Sequence, residues 1–422
     1  MLAADPAMLL TPLFGARLAA MVVFGLGALF DALAPLTDRL QQDNVYPAAP
    51  DEVAKVNLLW LLGMTLLIAG VTAAFRFQRR STANATGKNS LRSLPMILGL
   101  GMFLAGLGMQ VALALGIFKI AGIFQTLSLA IQLYGLFVLA QQAGTSIAAR
   151  TWLAISLAGL FIIALLLANK TVFFYPALVA VLGTLSNGWT WRRAMVGGAL
   201  LGIAFFVAAP IVTYARDRMR TGSDADITLG NQWQIVMDYA GGDRLRDDTA
   251  GLTLQRIDYV TTAASVMALY EAGKGSTRLA ESGFILIPRL IWPDKPITST
   301  SGHELNYALG FQDENQIGMT VFADLYWNVG WLALAIIPLM GFYFGAVSLL
   351  CRSILVRRES LMLPFAFASL QLGLVLDSDF TAAIMAPAIM NLAFYLALRL
   401  ASKFLDRLPA AKFAPSAGAM TP

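Results

Sequence analysis

Ten times between residues 16 and 400 the sequence enters an apolar stretch, and this recurrence constrains the fold more than any other feature. A helix needs about 20 mainly apolar residues to cross a bilayer. Only a helix or a closed barrel satisfies its backbone polar groups in hydrocarbon. The stretches cover 16–36, 56–75, 94–118, 123–141, 152–167, 172–185, 195–215, 329–350, 361–376 and 380–400. They predict an all-α polytopic membrane protein of about ten transmembrane helices. Charged residues make up 13% of the chain, against roughly 25% in a soluble domain. No Lys or Arg precedes Arg17, and the first stretch outlasts the apolar core of a secretory signal, so it reads as the first membrane helix.

The connections fix an orientation. Arg76, Arg79, Arg80, Lys88 and Arg92 follow the second stretch, Arg150 the fourth, and Arg192 and Arg193 the sixth. Arg352, Arg357 and Arg358 follow the eighth, and Lys403, Arg407 and Lys412 the tenth. With ten spans all of these fall on one side. The other side receives Asp38, Asp43, Asp51 and Glu52 against Arg39 and Lys55, then only Lys119, Lys170 and the acidic Asp377-Ser378-Asp379. An excess of Lys and Arg marks the cytoplasm. Both termini are therefore expected there. The same bias accounts for the net charge of +5.

Other residue counts narrow the chemistry. The single cysteine, Cys351, excludes an internal disulfide and a thiolate cluster. The single histidine, His303, excludes a site built on several imidazoles. No basic stripe with interleaved aromatics points to nucleic acid. There is no internal repeat and no low-complexity tract.

Between the seventh and eighth stretches lies a polar segment, 216–320, with ten Lys or Arg and fourteen Asp or Glu. A connection of that length is usually functional. The expected organisation is a membrane domain over 1–215, a large periplasmic loop over 216–320, a second membrane portion over 321–402 and a cytoplasmic tail over 403–422. Inside the loop, 261–272 and 284–292 are apolar but too short to span, and are expected as interfacial or re-entrant pieces on the outer leaflet.

Four clusters carry candidate chemistry. Arg216 and Arg220 stand one turn apart if the seventh helix continues. Paired guanidiniums suit a diphosphate, or they snorkel to lipid headgroups. The run Ile287-Pro288-Arg289-Leu290-Ile291-Trp292-Pro293-Asp294-Lys295-Pro296 adds two cations, Arg289 and Lys295, on a backbone stiffened by prolines. Trp292 is equally at home as an interfacial anchor. In Ser301-Gly302-His303-Glu304, His303 brings the chain's one imidazole, a side-chain type suited to general-base work, and Glu304 competes with it for that role. The run 320–331, TVFADLYWNVGW, holds Asp324 at the membrane edge, where an ionisable group is costly. Its Tyr326, Trp327 and Trp331 read as an aromatic belt or as a platform for sugars.

Together these clusters resemble the Wzy-type O-antigen and exopolysaccharide polymerases, the oligosaccharide repeat unit polymerase family. The resemblance rests on the late periplasmic loop, on IPRLIWPDKP at 287–296 and on TVFADLYWNVGW at 320–331. Asp324 stands where the family more often has glutamate, and Thr300 stands where an arginine-x10-glycine signature counted from Arg289 would end in glycine. The resemblance implies a glycosyltransferase-C-like enzyme needing no metal and no cofactor. Its donor would be a glycan on undecaprenyl diphosphate and its acceptor a lipid-linked repeat unit. A chain-length regulator and a flippase of the same pathway would be partners, alongside membrane lipids. By that resemblance Arg289, Arg216, Arg220 and Lys295 would bind the diphosphate. His303, Asp324 or Glu304 would supply the base, and Trp292, Tyr326, Trp327 and Asn328 would face sugar. The alternatives are a lipid-linked oligosaccharide flippase, an O-antigen ligase and a structural partner of the export machinery. A carrier would be expected to hold ionisable residues inside its spans. Here Arg17 and Asp31 are the exceptions.

Overall fold

The computed structural model describes residues 8, 11–26, 50–78, 95–114, 122–167, 171–186, 190–221, 233–234, 237, 239, 259–287, 292, 301–310, 318–357, 359–374, 376 and 378–407. Among them all regular structure is helical. In chain order, α1 is Pro12–Ala20, continued by a π turn at Met21–Leu26. Then come α2 Pro50–Gln78, α3 Met96–Ala114, α4 Gly122–Gln142, α5 Ile147–Leu166, α6 Thr171–Ser186 and α7 Trp191–Thr221. The polar segment contributes α8 Val260–Glu271, the short turn α9 Arg278–Glu281 with a 3-10 turn at Ser282–Leu286, and α10 Ser301–Ala308. Then α11 Val321–Val329, α12 Ala333–Arg357, α13 Leu363–Leu374 and α14 Ala386–Arg407 complete the described helices.

Each of the ten apolar stretches contains helix. Asp51–Phe77, Ile147–Leu166 and the combined Val321–Arg357 are long and apolar enough to cross a membrane, and Met96–Ala112, Thr126–Gln142, Thr171–Ser186 and Leu363–Leu374 are shorter apolar helices. Their outward faces carry large apolar side chains. On α2, Leu61 and Ile68 are 67% and 59% exposed. Such faces are a liability in water and the natural state in lipid. The chain is an all-α membrane protein.

Helices α2 and α12 pack backbone to backbone. Gly341 and Gly345 lie one turn apart on α12, and a Cβ at Gly341 would run into the Leu67 carbonyl. Gly345 faces Ala74 and Val71, while Gly70 of α2 meets the Pro338 carbonyl. Small residues at this spacing let two backbones touch where hydrocarbon supplies no hydrophobic drive between helices. Residue numbers rise together along the contact, from Gly63 against Ile337 to Ala74 against Gly345, so the two helices run parallel. Their N-terminal ends therefore share a face. By contrast α3 and α4 pair antiparallel: Gly99 meets Val138 and Gly106 meets Gln132. Gln110 Nε2 donates to Gln132 Oε1 across that pair at 2.7 Å.

Segment 261–272 forms a helix, α8, but not one lying at a surface. Val260, Ala263, Ala264, Val266 and Met267 are buried in the same core as Leu59, Trp60, Phe322 and Leu325. Small residues on one face let α8 nest between α2 and α11. It ends in a Schellman turn: Gly273, at φ 75°, donates to the Tyr270 carbonyl, and Lys274 N–H donates to the Leu269 carbonyl. At this end Lys55 Nζ of α2 contacts Glu271 of α8 at 2.7 Å. Past the far end of α12, Glu359 pairs with Arg399 of α14 at 2.9 Å.

Candidate functional site

The site forms where the polar segment folds back on the start of α11. Thr320 caps α11, its hydroxyl accepting from Ala323 N–H at 3.2 Å. The helix then carries Asp324, Tyr326, Trp327 and Asn328 in its two turns. It stops at Gly330, whose φ of 60° breaks the rod before α12. A Cβ there would strike the Tyr270 hydroxyl, so this corner requires glycine for conformation and for space.

Two backbone-linked contacts tie the loop after α8 to α11. Trp327 Nε1–H donates to the Lys274 carbonyl at 2.8 Å, and Ser276 N–H donates to the Trp327 carbonyl at 3.0 Å. The next residues are drawn toward Asn328, whose Oδ1 accepts from Leu279 N–H at 2.8 Å. Its Nδ2 donates to the Asp324 carbonyl at 2.9 Å and reaches the Asp324 carboxylate at 3.3 Å. Asn328 is thus a clip between α9 and α11. The change Asn328→Ala leaves Leu279 N–H without its acceptor and Asp324 short of a donor. It should cost about 1–3 kcal/mol, read as a lowered thermal midpoint of the purified protein in detergent.

Asp324 is 1% exposed. Its Oδ2 accepts from Phe380 N–H, at the opening of the last helix, at 2.7 Å. A carboxylate at a helix N-terminus satisfies an otherwise orphaned donor, so Asp324 anchors α11 to the helix leading into α14. The carboxyls of Glu304 and Asp379 stand close enough to act on it electrostatically, and Ser301 lies beside it.

Glu304, on α10, is the half-exposed member of this acidic group. Its Oε2 accepts from Ser276 Oγ at 2.6 Å and from Arg278 Nε at 3.2 Å. Arg278 also contacts Glu281 at 2.7 Å. Arg278 and Ser276 are neighbours of Glu304 that sequence reasoning does not find. Their partner lies 26 and 28 residues away, on another helix. The one visible signal is the glycine-flanked turn Gly273-Lys274-Gly275 just before them. His303 adjoins Glu304 on α10 and is half-buried.

The structure therefore brings Glu304, Asp324 and Asn328 together, with His303 on the same short helix. Tyr326 and Trp327, expected as sugar platforms, are 2% and 1% exposed. The Tyr326 ring is held edge-on by Tyr270 and Trp331, each at 5.3 Å. The Tyr326 and Trp327 side chains are both packed inside the fold. Asn328 is occupied by the clip. Trp292 is half-buried against the edge of Phe284 at 5.7 Å. Arg216 and Arg220 lie on the unbroken backbone of α7, one turn apart as the spacing predicts. Their side chains, and all of Arg289 and Lys295, lie outside the described residues. No set of three or more His, Cys, Asp or Glu among the described residues is arranged to hold a metal ion.

No family model and no curated protein matches the sequence, and no solved structure matches the fold.

Proposed function

We propose that the chain is a polysaccharide polymerase of the bacterial inner membrane that joins undecaprenyl-diphosphate-linked repeat units at the periplasmic face. The observation that carries this reading is the convergence of Glu304, Asp324, Ser276 and Arg278 at the mouth of α11. The polar segment thereby delivers half-exposed acid–base groups to one end of the membrane helices.

The topology in this reading has ten spans, cytoplasmic termini and 216–320 outside. Parallel packing of α2 and α12 supports it, because five helices, α3 to α7, separate them in the membrane part of the chain. Five crossings return the chain to the side from which α2 started. The Lys55–Glu271 pair supports the same assignment, since it ties the first outer connection to the large loop.

In the reaction, the hydroxyl oxygen of the incoming unit attacks the anomeric carbon of the donor glycan. The bond from that carbon to the diphosphate oxygen breaks, and the electron pair leaves with the diphosphate. The hydroxyl proton passes to a base, Glu304 or His303, the half-buried titratable groups of α10. Asp324, buried and held by Phe380 N–H, positions α11 against them. Arg289, Lys295, Arg216 and Arg220 would stabilise the growing charge on the diphosphate. Holding two lipid-tethered substrates together supplies much of the remaining acceleration.

Arg289→Ala is expected to leave the protein inserted in the membrane and to abolish long-chain polysaccharide. A normal ladder on a gel of the cell's glycans would remove Arg289 from the site. The broader test is deletion of the encoding gene followed by analysis of lipid-linked glycans. Single repeat units accumulating on the outer leaflet are the expected result. Units trapped on the cytoplasmic leaflet would indicate a flippase, and full-length polymer left on its lipid carrier a ligase.

A further inference from the structure

We propose that a groove between α5, α6 and α7, remote from α10 and α11 in the chain, is a binding site for one anionic phospholipid of the leaflet at the arginine-rich face. The groove has a volume of about 530 Å³. Its walls are apolar: Leu157 from α5, Phe173 and Ala177 from α6, and Val196 and Leu200 from α7. Its mouth is cationic, lined by Arg192 and Arg193.

Three observations define the occupant. The first is charge. Arg192 and Arg193 sit in the first turn of α7, which has no acidic residue. Two guanidiniums at one end of an apolar groove complement a phosphodiester, whose oxygens they contact as permanently charged donors. The second is length. From Arg192 to Leu201 the groove follows nine residue steps of α7, about 14 Å at 1.5 Å each. That is close to half of a hydrocarbon core of about 30 Å, the depth reached by one acyl chain in one leaflet. The third is position. Trp191 and Trp152 are 70% and 41% exposed at the same end of the helices, as tryptophans at a headgroup boundary are. A phosphodiester at the arginines with an acyl chain along Val196 and Leu200 meets all three conditions. The site does not depend on the polymerase reading. Under the orientation proposed above, its leaflet is the cytoplasmic one.

The test uses the purified full-length protein in mild detergent, titrated with phosphatidylglycerol and with phosphatidylcholine of identical acyl chains. Bound lipid is counted by native mass spectrometry. One phosphatidylglycerol should be retained on the order of tenfold more tightly than phosphatidylcholine, as expected for two arginines acting near a surface. Arg192→Ala with Arg193→Ala should bind the two lipids alike. Val196→Trp, at a position 60% exposed, should fill the groove and lose the retained lipid with both arginines in place. Excess inorganic phosphate should not displace the lipid, because the chain contributes to binding. Equal retention of the two lipids by the unaltered protein overturns the proposal. So does undiminished phosphatidylglycerol binding by Val196→Trp, or displacement by phosphate alone.

Discussion

Glu304→Gln should lower polymerisation by about 10²–10⁴-fold, the span over which a positioned acid or base contributes, while the amount of inserted protein stays unchanged. The substitution is chosen for what it preserves. A glutamine oxygen still accepts from Ser276 Oγ and Arg278 Nε, the two contacts that hold Glu304 in place. The fold around α10 keeps its hydrogen bonds and loses one negative charge and one proton acceptor. Glu304→Ala, by contrast, also removes one of the two carboxylates that hold Arg278 and would mix a structural loss with a chemical one. The readouts are polymer length in complemented cells and initial rate on lipid-linked units. If Glu304→Gln polymerises normally and His303→Gln does not, the base is the imidazole beside it. If both polymerise normally, α10 holds no catalytic group.

Gly341→Leu should have the largest effect on stability. The Cβ alone would overlap the Leu67 carbonyl of α2, and neither backbone can move without parting the two helices. Overpacking a core costs about 1–3 kcal/mol when side chains can adjust, occasionally more. Here backbone faces backbone, so the cost lies at or above the top of that span. The expected outcome is a severe fall in folded protein recovered from membranes, measured by size-exclusion profile in detergent. Gly101→Leu is the matched control. Gly101 of α3 has no neighbouring atom within 4 Å of the place a Cβ would take, and tolerates the change. Equal recovery of the two variants would show that α2 and α12 do not pack at this seam.

How much of this is legible in the sequence follows from the range of each interaction. Hydropathy marks a helix by its own composition, so each of the ten stretches contains helix, and where both ends are described they differ by a few residues. The ends shift because apolarity stops before hydrogen bonding does. Helix α2 begins at Pro50, with Asp51 and Glu52 in its first turn where the dipole favours acids, six residues ahead of the expected start at 56. Helix α7 likewise runs on through Arg216 and Arg220. The small-residue spacing Gly341-x-x-x-Gly345 is written in the sequence, but its partner helix is not. Burial is different. The aromatic run Tyr326-Trp327 carries no mark that tells a belt from a core, and α11 proves to be enclosed by α2 and α8. The Asp324 contact with Phe380 N–H spans 56 residues, and the Lys55 contact with Glu271 spans 216. Pairings of that separation leave no periodic trace. Asp324 stands out in the sequence because a carboxyl there is expensive, and its partner is found only in three dimensions.

The central claim is that this chain itself forms glycosidic bonds between lipid-linked units. Its most direct test is the purified protein, reconstituted into vesicles with a defined undecaprenyl-diphosphate-linked repeat unit and no other enzyme. Lengthened lipid-linked glycans should appear, with one undecaprenyl diphosphate released for every bond formed. Movement of intact units across the bilayer with no lipid diphosphate released would contradict the claim.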